Sequence, residues 1–478
     1  MQIKTTRNPG SFRDPASRVY ETVTQEGYIR SIIRGVDGES QHNFLTVSQL
    51  DFYRKLERDG DIVRTLEISS ETDRPEVATI LDDGWTGVLE HEKVEVISYP
   101  YEWSFSMLQD AAILHLRILQ QCLKNGWTLK DATPYNVQWR GGKPVFIDIP
   151  SFVPRQKGEH WFAYRQFCMM FFTPLAINAH LGIDHVPLVR SRLDGIPPVD
   201  AVRYFQGLNR FKKGVLSHII FSAIVERRIV RKERNKTPAT KRNALKQSDT
   251  IVFALVDSML RLITGLRQSP GQTAWSDYQE NHSYSEVEHK EKTQFVQKHV
   301  VGKGFNLMWD LGCNAGQFSR VCSEHINYVV AIDGDYMAVE RLYQNEKTTN
   351  NRKILPLVMD LNNISPDQGW MSGERAAFDK RSSPDLVLFL ALVHHLRLSA
   401  NIPLHSILQW LRSLNALIVF EFVGRDDEMV TKLLTNKKEQ YEDYTQENFE
   451  YFATQLFDIS DRQILKSGKR EIFLLSPI

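Results

Sequence analysis

The sequence predicts two domains of different class, an α+β half followed by an α/β half built on a parallel sheet. Three observations predict this. The chain has 478 residues, more than one hydrophobic core usually organises. Beyond Phe305 apolar strand-like runs alternate with helical stretches, whereas the first half mixes short alternating runs with helices. Between the halves a basic tract changes the composition. The boundaries read as 1–225, 226–274 and 275–478, with a basic helical linker in the middle.

Taken in order, residues 18–34 alternate apolar and polar (Val19, Thr22, Val23, Tyr28, Ile29, Ile32, Ile33) and read as a hairpin about Gln25-Glu26-Gly27. Leu50, Phe52, Tyr53 and Leu56 have helical spacing. Strand-like segments follow, ending in Val94-Glu95-Val96-Ile97-Ser98-Tyr99-Pro100. A helix over 106–124 is closed by Asn125-Gly126. Val137-Gln138-Trp139 and Pro144-Val145-Phe146-Ile147-Asp148 then flank Arg140-Gly141-Gly142-Lys143, two strands joined by a glycine turn. A mainly helical stretch leads into Arg227, Arg228, Arg231, Lys232, Arg234, Lys236, Lys241, Arg242 and Lys246, broken at Thr237-Pro238. Runs of this kind can grip a nucleic-acid backbone or an anionic lipid surface, but are more often solvated connections, and no aromatics interleave this one.

Composition narrows the class of protein. Hydrophobic residues make up 42% and charged residues 24%, and 59 Lys and Arg balance 58 Asp and Glu, so global charge gives no nucleic-acid signal. The four cysteines (Cys122, Cys168, Cys313, Cys322) form no CxxC pair, which argues against a zinc site or a disulfide framework. No run of about 18 apolar residues occurs, and no apolar stretch follows the basic start, so a cytoplasmic chain without a membrane span is expected.

The most informative stretch is Phe305-Asn306-Leu307-Met308-Trp309-Asp310-Leu311, an apolar strand ending in a carboxylate, followed by Gly312-Cys313-Asn314-Ala315-Gly316 and a helix from about Gln317. Glycines suit a tight bend that lets a ligand lie against the backbone. The full GxGxxG spacing of dinucleotide sites is absent. Two more strands end in acids, Tyr328-Val329-Val330-Ala331-Ile332-Asp333 and Ile354-Leu355-Pro356-Leu357-Val358-Met359-Asp360-Leu361. A buried run, 385–396, carries His394-His395; Asn415 to Phe422 supplies a fifth strand, and Ile472 to Ser476 an edge strand. Any one such acid is more often a helix cap or an ion-pair partner than a ligand. Cys313 reads as a packing residue.

Together these motifs resemble the class I, Rossmann-like S-adenosylmethionine-dependent methyltransferases, with Asn314 in place of the middle glycine of the family's first motif. The resemblance covers about 275–478 and implies a seven-stranded sheet. It implies cofactor contacts at Asp310, Gly312, Asn314, Gly316, Asp333, Asp360 and Leu361, with Asp333 on the ribose hydroxyls. Upstream, Trp275, Tyr278, His282 and Tyr284 stand where related enzymes fold aromatics over the cofactor, and Tyr284 can meet a sulfonium by a cation–π contact. His395 or His394 is the candidate general base, with Glu421 a further candidate; a structural role for the His pair is the commoner outcome.

In the first half, Asp131-Ala132-Thr133-Pro134-Tyr135-Asn136 and the later Asp148 resemble the catalytic loop and metal-binding acid of a protein-kinase-like domain. In such a fold Asp131 orients an acceptor hydroxyl, while Asn136 and Asp148 hold magnesium on ATP. A glycine-rich loop and a VAIK-like lysine are absent, and Pro150 stands near the place of the usual glycine. The plain alternative is a turn begun by Asp131 to Pro134. The two halves together resemble two-part bacterial methyltransferases, some with nodulation or surface-glycan functions. The expected activity is methyl transfer to an O- or N-acceptor (small molecule, sugar or peptide), the first half binding acceptor or nucleotide. A bifunctional kinase-methyltransferase and a non-catalytic scaffold are the alternatives.

Overall fold

The computed structural model describes residues 4–24, 29–69, 74–233, 248–269, 285–435 and 441–478. Two compact units result: Met1–Trp139, Pro144–Pro270 and Asp367–Arg375 form the first, and Arg140–Lys143, Gly271–Pro366 and Ala376–Ile478 the second. The expected Gln25-Gly27 turn, the Thr237-Pro238 breaker, and Trp275, Tyr278, His282 and Tyr284 lie outside the described residues.

The first unit opens on an antiparallel sheet of β1 (Lys4–Arg7), β2 (Ser17–Val23), β3 (Ile29–Val36), β4 (Thr65–Glu67) and β5 (Gly87–His91), in the order β1-β2-β3-β5-β4. The hairpin read at 18–34 is the β2–β3 pair, with Ser17 opposite Val36. Gly35 is needed on β3 because a Cβ there would stand 2.4 Å from Cδ1 of Trp85, whose indole lies flat on the strand. The helix Phe105–Lys124 follows; it buries Ala111, His115, Leu119 and Cys122 along one stripe and closes at Asn125 ahead of Gly126, φ 77°. Two ribbons complete the unit's β structure: β6 (Trp127–Leu129) with β9 (Phe152–Pro154), and β7 (Val137–Arg140) with β8 (Lys143–Phe146).

Two stretches differ from the sequence reading. Residues 94–98 do alternate buried and exposed, yet 94–100 form no strand. Ser98 donates its N–H to Oε1 of Gln138 at 2.9 Å and accepts from Nε2 at 3.0 Å, so a side-chain amide takes the place of a neighbouring strand. The expected linker 226–274 contains the end of the helix Phe221–Glu233 and a second helix, Asp249–Thr264. The latter buries Val252, Val256, Met259 and Ile263 and accepts Gln109 Nε2 at Ile263 O, 2.8 Å, so it belongs to the first unit's core. Its apolar stripe was hidden by the basic tract before it.

The second unit is a seven-stranded α/β sheet: β10 (Leu307–Leu311), β11 (Tyr328–Asp333), β12 (Ile354–Val358), β13 (Leu386–Phe389), β14 (Leu417–Val423), β15 (Phe457–Ile464) and β16 (Arg470–Pro477). Their order is β12-β11-β10-β13-β14-β16-β15. The pairs among β10 to β14 are parallel; β16 runs antiparallel to β14, and β15 to β16. This is a Rossmann-like sheet whose order reverses between β10 and β13, where open α/β sheets form a crevice at the carboxyl ends. β16, expected at the edge, lies inside the sheet with its first six residues buried. β15, which alternates buried and exposed, is the edge. The fourth strand also ends sooner than expected: Ala391 turns left-handed at φ 51°, and His394 and His395 stand on a helical turn beyond it. Among the described residues no helix is long and apolar enough to cross a membrane.

Buried histidines make stability depend on pH. His115 sits among Phe146, Phe167 and Phe171, and burial pushes its pKa from 6.5 down to about 3. The unfolded chain takes up this proton near pH 6.5, the folded chain only near 3. The contribution is therefore full above pH 6.5 and is lost as pH falls toward 3. In urea unfolding at pH 7.5 and pH 5, His115→Phe is expected to hold stability at pH 7.5 and to flatten the acid loss by up to about 1.4 kcal/mol per pH unit. An unchanged slope would remove His115 as its source.

Candidate functional site

The turn after β10 is set by its backbone. Gly312, Asn314 and Gly316 have φ of 74°, 49° and 75°. A Cβ on Gly316 would stand 2.4 Å from Cδ1 of Leu342, so both conformation and space demand glycine there. Asn314 takes an angle that Asn tolerates better than most residues. The N–H groups of Gly312 and Cys313 both donate to Ile332 O at 2.9 Å, lacing the turn to the end of β11. Asp333 follows at once: Oδ2 accepts the Asn314 N–H at 2.7 Å and Oδ1 the Asp335 N–H at 2.7 Å. Burial pushes its carboxyl above the ordinary range while these donors pull it down.

The other acids differ in exposure. Asp310 is buried, accepts the Ser319 hydroxyl at 2.5 Å, and is pushed by burial up to about 6. It ties β10 to the helix Gln317–Ser323. Asp360 is exposed and caps the turn Leu361–Asn363 by accepting the Asn362 N–H at 2.9 Å. A Cβ on Gly334 would stand 3.6 Å from Cα of Asp360, so the ends of β11 and β12 meet beside the turn. Tyr284 lies outside the described residues.

Parallel register puts Asp310, Asp333 and Glu421 on one face of the sheet, with Met308, Ala331 and Val419 below them. Glu421 has no exposed surface. Lys292 reaches it from the helix Glu286–Val300 at 2.6 Å, and Arg470 from β16 at 3.6 Å while bonding Asp427 at 2.8 Å. Burial lowers the Lys292 pKa against the attraction of Glu421. His394 is 1% exposed, and among the described residues neither ring nitrogen has a hydrogen-bond partner. Burial and the neighbouring His395, Arg470 and Lys292 hold His394 well below its ordinary pKa, and burial with Arg470 brings His395 to about 4. The His rings are 4.1 Å apart. Both are neutral near pH 7.

In the first unit Asp131, Asn136 and Asp148 come together. Asn136 Nδ2 donates to Asp148 Oδ2 at 3.2 Å, and Arg34 on β3 pairs with Oδ1 at 2.6 Å. Asp131 is raised by burial first and then by the negative charges of Asp148 and Asp14. Both Asp148 oxygens are thus engaged, and among the described residues no group of three His, Cys, Asp or Glu is placed to hold a metal.

No family model matches the chain. It is 31% identical over 469 residues to the nodulation protein NoeA of Rhizobium meliloti (strain 1021), a likeness covering 98% of this chain and 95% of that one. The chain belongs to the NoeA family. Among solved structures, this NoeA-family chain is similar to the N-methyltransferase NodS of Bradyrhizobium japonicum WM9, at 13% identity over 41% of this chain and 99% of that one, with a TM-score of 0.30. It is also similar to the magnesium protoporphyrin IX methyltransferase of Synechocystis PCC 6803, at 14% identity over 44% and 86%, with a TM-score of 0.28. Scores this low decide nothing about the NoeA-family chain; its sheet and turn carry the argument.

Sequence reasoning missed Lys292, Arg470, Asp427 and Arg34. Lys292 left a signal: Glu288, Lys292, Phe295, Val296 and His299 form the buried stripe of their helix, and a lysine on such a stripe implies a buried acid. Removing one partner of this pair strands the other. Lys292→Met is expected to cost about 3–5 kcal/mol in urea unfolding, and Lys292→Met with Glu421→Gln to recover at least half of it. Additive losses would show that the pair does not act as a unit.

Proposed function

We propose that the second unit of this NoeA-family chain is an S-adenosylmethionine-dependent methyltransferase acting on an oxygen or nitrogen acceptor of a small molecule, sugar or peptide. The observation that carries the reading is Asp333, held at the rim of the left-handed Gly312–Gly316 turn by the Asn314 and Asp335 N–H groups. A carboxylate has about four lone-pair positions, and two are used here, so it retains capacity for a pair of ribose hydroxyls. The residues present fit the cofactor: Asp333 for the ribose, the backbone of 312–316 alongside, and Asp360 with Leu361 for the adenine end. When bound, S-adenosylmethionine supplies an electrophilic methyl on sulfur.

In-line displacement asks the chain chiefly to align an acceptor and exclude water. His394 and His395 suit that role as neutral hydrogen-bonding groups. A base at about 4 is poorly matched to proton removal at neutral pH. Calorimetry with S-adenosylmethionine tests the reading. Binding by the wild type, weakened at least about tenfold in Asp333→Ala and in Gly312→Val, is expected from loss of a charge-assisted hydrogen bond or of the turn. No binding by the wild type would sink it.

A kinase-like fold is our reading of the first unit, supported by Arg34: it stands on the third strand, where a kinase carries its lysine, and it differs from that lysine in pairing with Asp148. As arranged, Asp131, Asn136 and Asp148 do not fit magnesium, because the Arg34 guanidinium, 2.6 Å from Asp148, already neutralises its charge and would repel a divalent cation. We therefore assign the first unit to acceptor binding and route no phosphoryl transfer through it. Magnesium-dependent ATP binding that vanishes in Asp148→Ala would reverse that assignment.

A further inference from the structure

One surface of the first unit is used by neither site. Within 201–228 the exposed face carries large apolar side chains that no described residue covers: Leu208 is 85% exposed, Phe211 71% and Phe221 63%, and Leu216 and Ile224 are exposed too. Leu208 and Phe211 stand on the short turn Gly207–Phe211, which packs against the helical turn Leu216–Ile220; the helix Phe221–Glu233 continues from it. His218, Ile219 and Ala223 face the core, while Phe221, Ile224 and Arg228 follow one another at helical spacing along the outer side. Monomeric proteins rarely leave so many large apolar groups together in water.

The charge around this surface says what would cover it. The same stretch holds six cations, Arg203, Arg210, Lys212, Lys213, Arg227 and Arg228, and one acid, Glu226. Each of the six cations is exposed, and Glu226 is already paired with Arg165 at 2.6 Å. Phenylalanine and leucine projecting between lysine and arginine are the composition of a surface that dips into the headgroup layer of an anionic bilayer. Apolar tips gain by leaving water for the acyl boundary, and cations gain by facing lipid phosphate. A protein partner would bury the apolar tips without needing six cations around them, and an RNA backbone would use the charge but leave Leu208 idle; an anionic lipid surface uses both.

We propose that this face, built on Leu208, Phe211, Phe221 and the Lys212-Lys213 pair, docks the protein peripherally on an anionic membrane surface. The proposal is independent of the methyltransferase reading. The full chain is tested by flotation with phosphatidylcholine vesicles, with and without phosphatidylglycerol, at low and high salt. Flotation is expected only with phosphatidylglycerol, and weaker in high salt. Leu208→Glu with Phe211→Glu is expected to abolish it, and Lys212→Glu with Lys213→Glu to weaken it about tenfold or more. All these residues are exposed, so the variants should melt with the wild type; a melt that falls is replaced by Leu208→Ser with Phe211→Ser. Absence of flotation, equal flotation with uncharged vesicles, or flotation untouched by the apolar substitutions in a folded variant overturns the proposal. So does binding that RNA abolishes while the apolar substitutions leave it intact.

Discussion

A carboxylate with no exposed surface, Glu421, governs the carboxyl edge of the second unit. An ionised group taken from water must be answered by charge at close range, or it gives up its proton. Lys292 and Arg470 answer it from a helix and a strand that are far apart in sequence, and Arg470 is in turn fixed by Asp427. Position therefore propagates outward from Glu421. The helix Glu286–Val300 must lie where Lys292 can reach, and β16 must enter beside β14 with Arg470 at its start. The cations that answer Glu421 also depress His394. One buried acid thus shapes the sheet edge and the ionisation of the groups nearest the proposed chemistry.

Where the sequence was legible, the cause was local. Apolar runs ending in Asp310 and Asp333 form strands because each run is buried on both faces, and Gly312 and Gly316 mark left-handed backbone that few other residues adopt. The helix after Ser104 and the β7–β8 turn were legible for the same reason. Partners brought together by tertiary packing left weaker traces. Nothing near Ser98 announces that Gln138 will bond its backbone, so 94–100 reads as a strand and is not one. Nothing before Ala391 announces a left-handed turn, so His394 and His395 read as strand-end residues when they stand on the helical turn beyond. The order of β15 and β16 follows from which run is buried on both faces, and the reading of 472–476 as the edge overlooked it.

Arg34 shows the same limit in the first unit. Its strand was legible within 18–34, but nothing in the sequence announces that Arg34 will meet Asp148, 114 residues further on. Arg34 pairs with Asp148 with its side chain largely buried. Arginine does so with a fixed planar fork that is charged at any working pH, which a lysine in the same buried place is not.

The two units answer a partly buried aspartate in opposite ways, and the difference assigns them different work. Asp148 is met by a guanidinium, which cancels its charge and occupies an oxygen with a strong, directional bond. Asp333 is met by two backbone N–H groups, which hold it in place without a countercharge. A carboxylate with no countercharge and with spare lone pairs remains a strong acceptor for hydroxyl donors; one already paired with arginine has its charge neutralised and attracts a cation less strongly. On that physical ground Asp333 keeps its capacity for hydroxyl donors, while the Arg34–Asp148 pair ties β3 to the segment that follows β8.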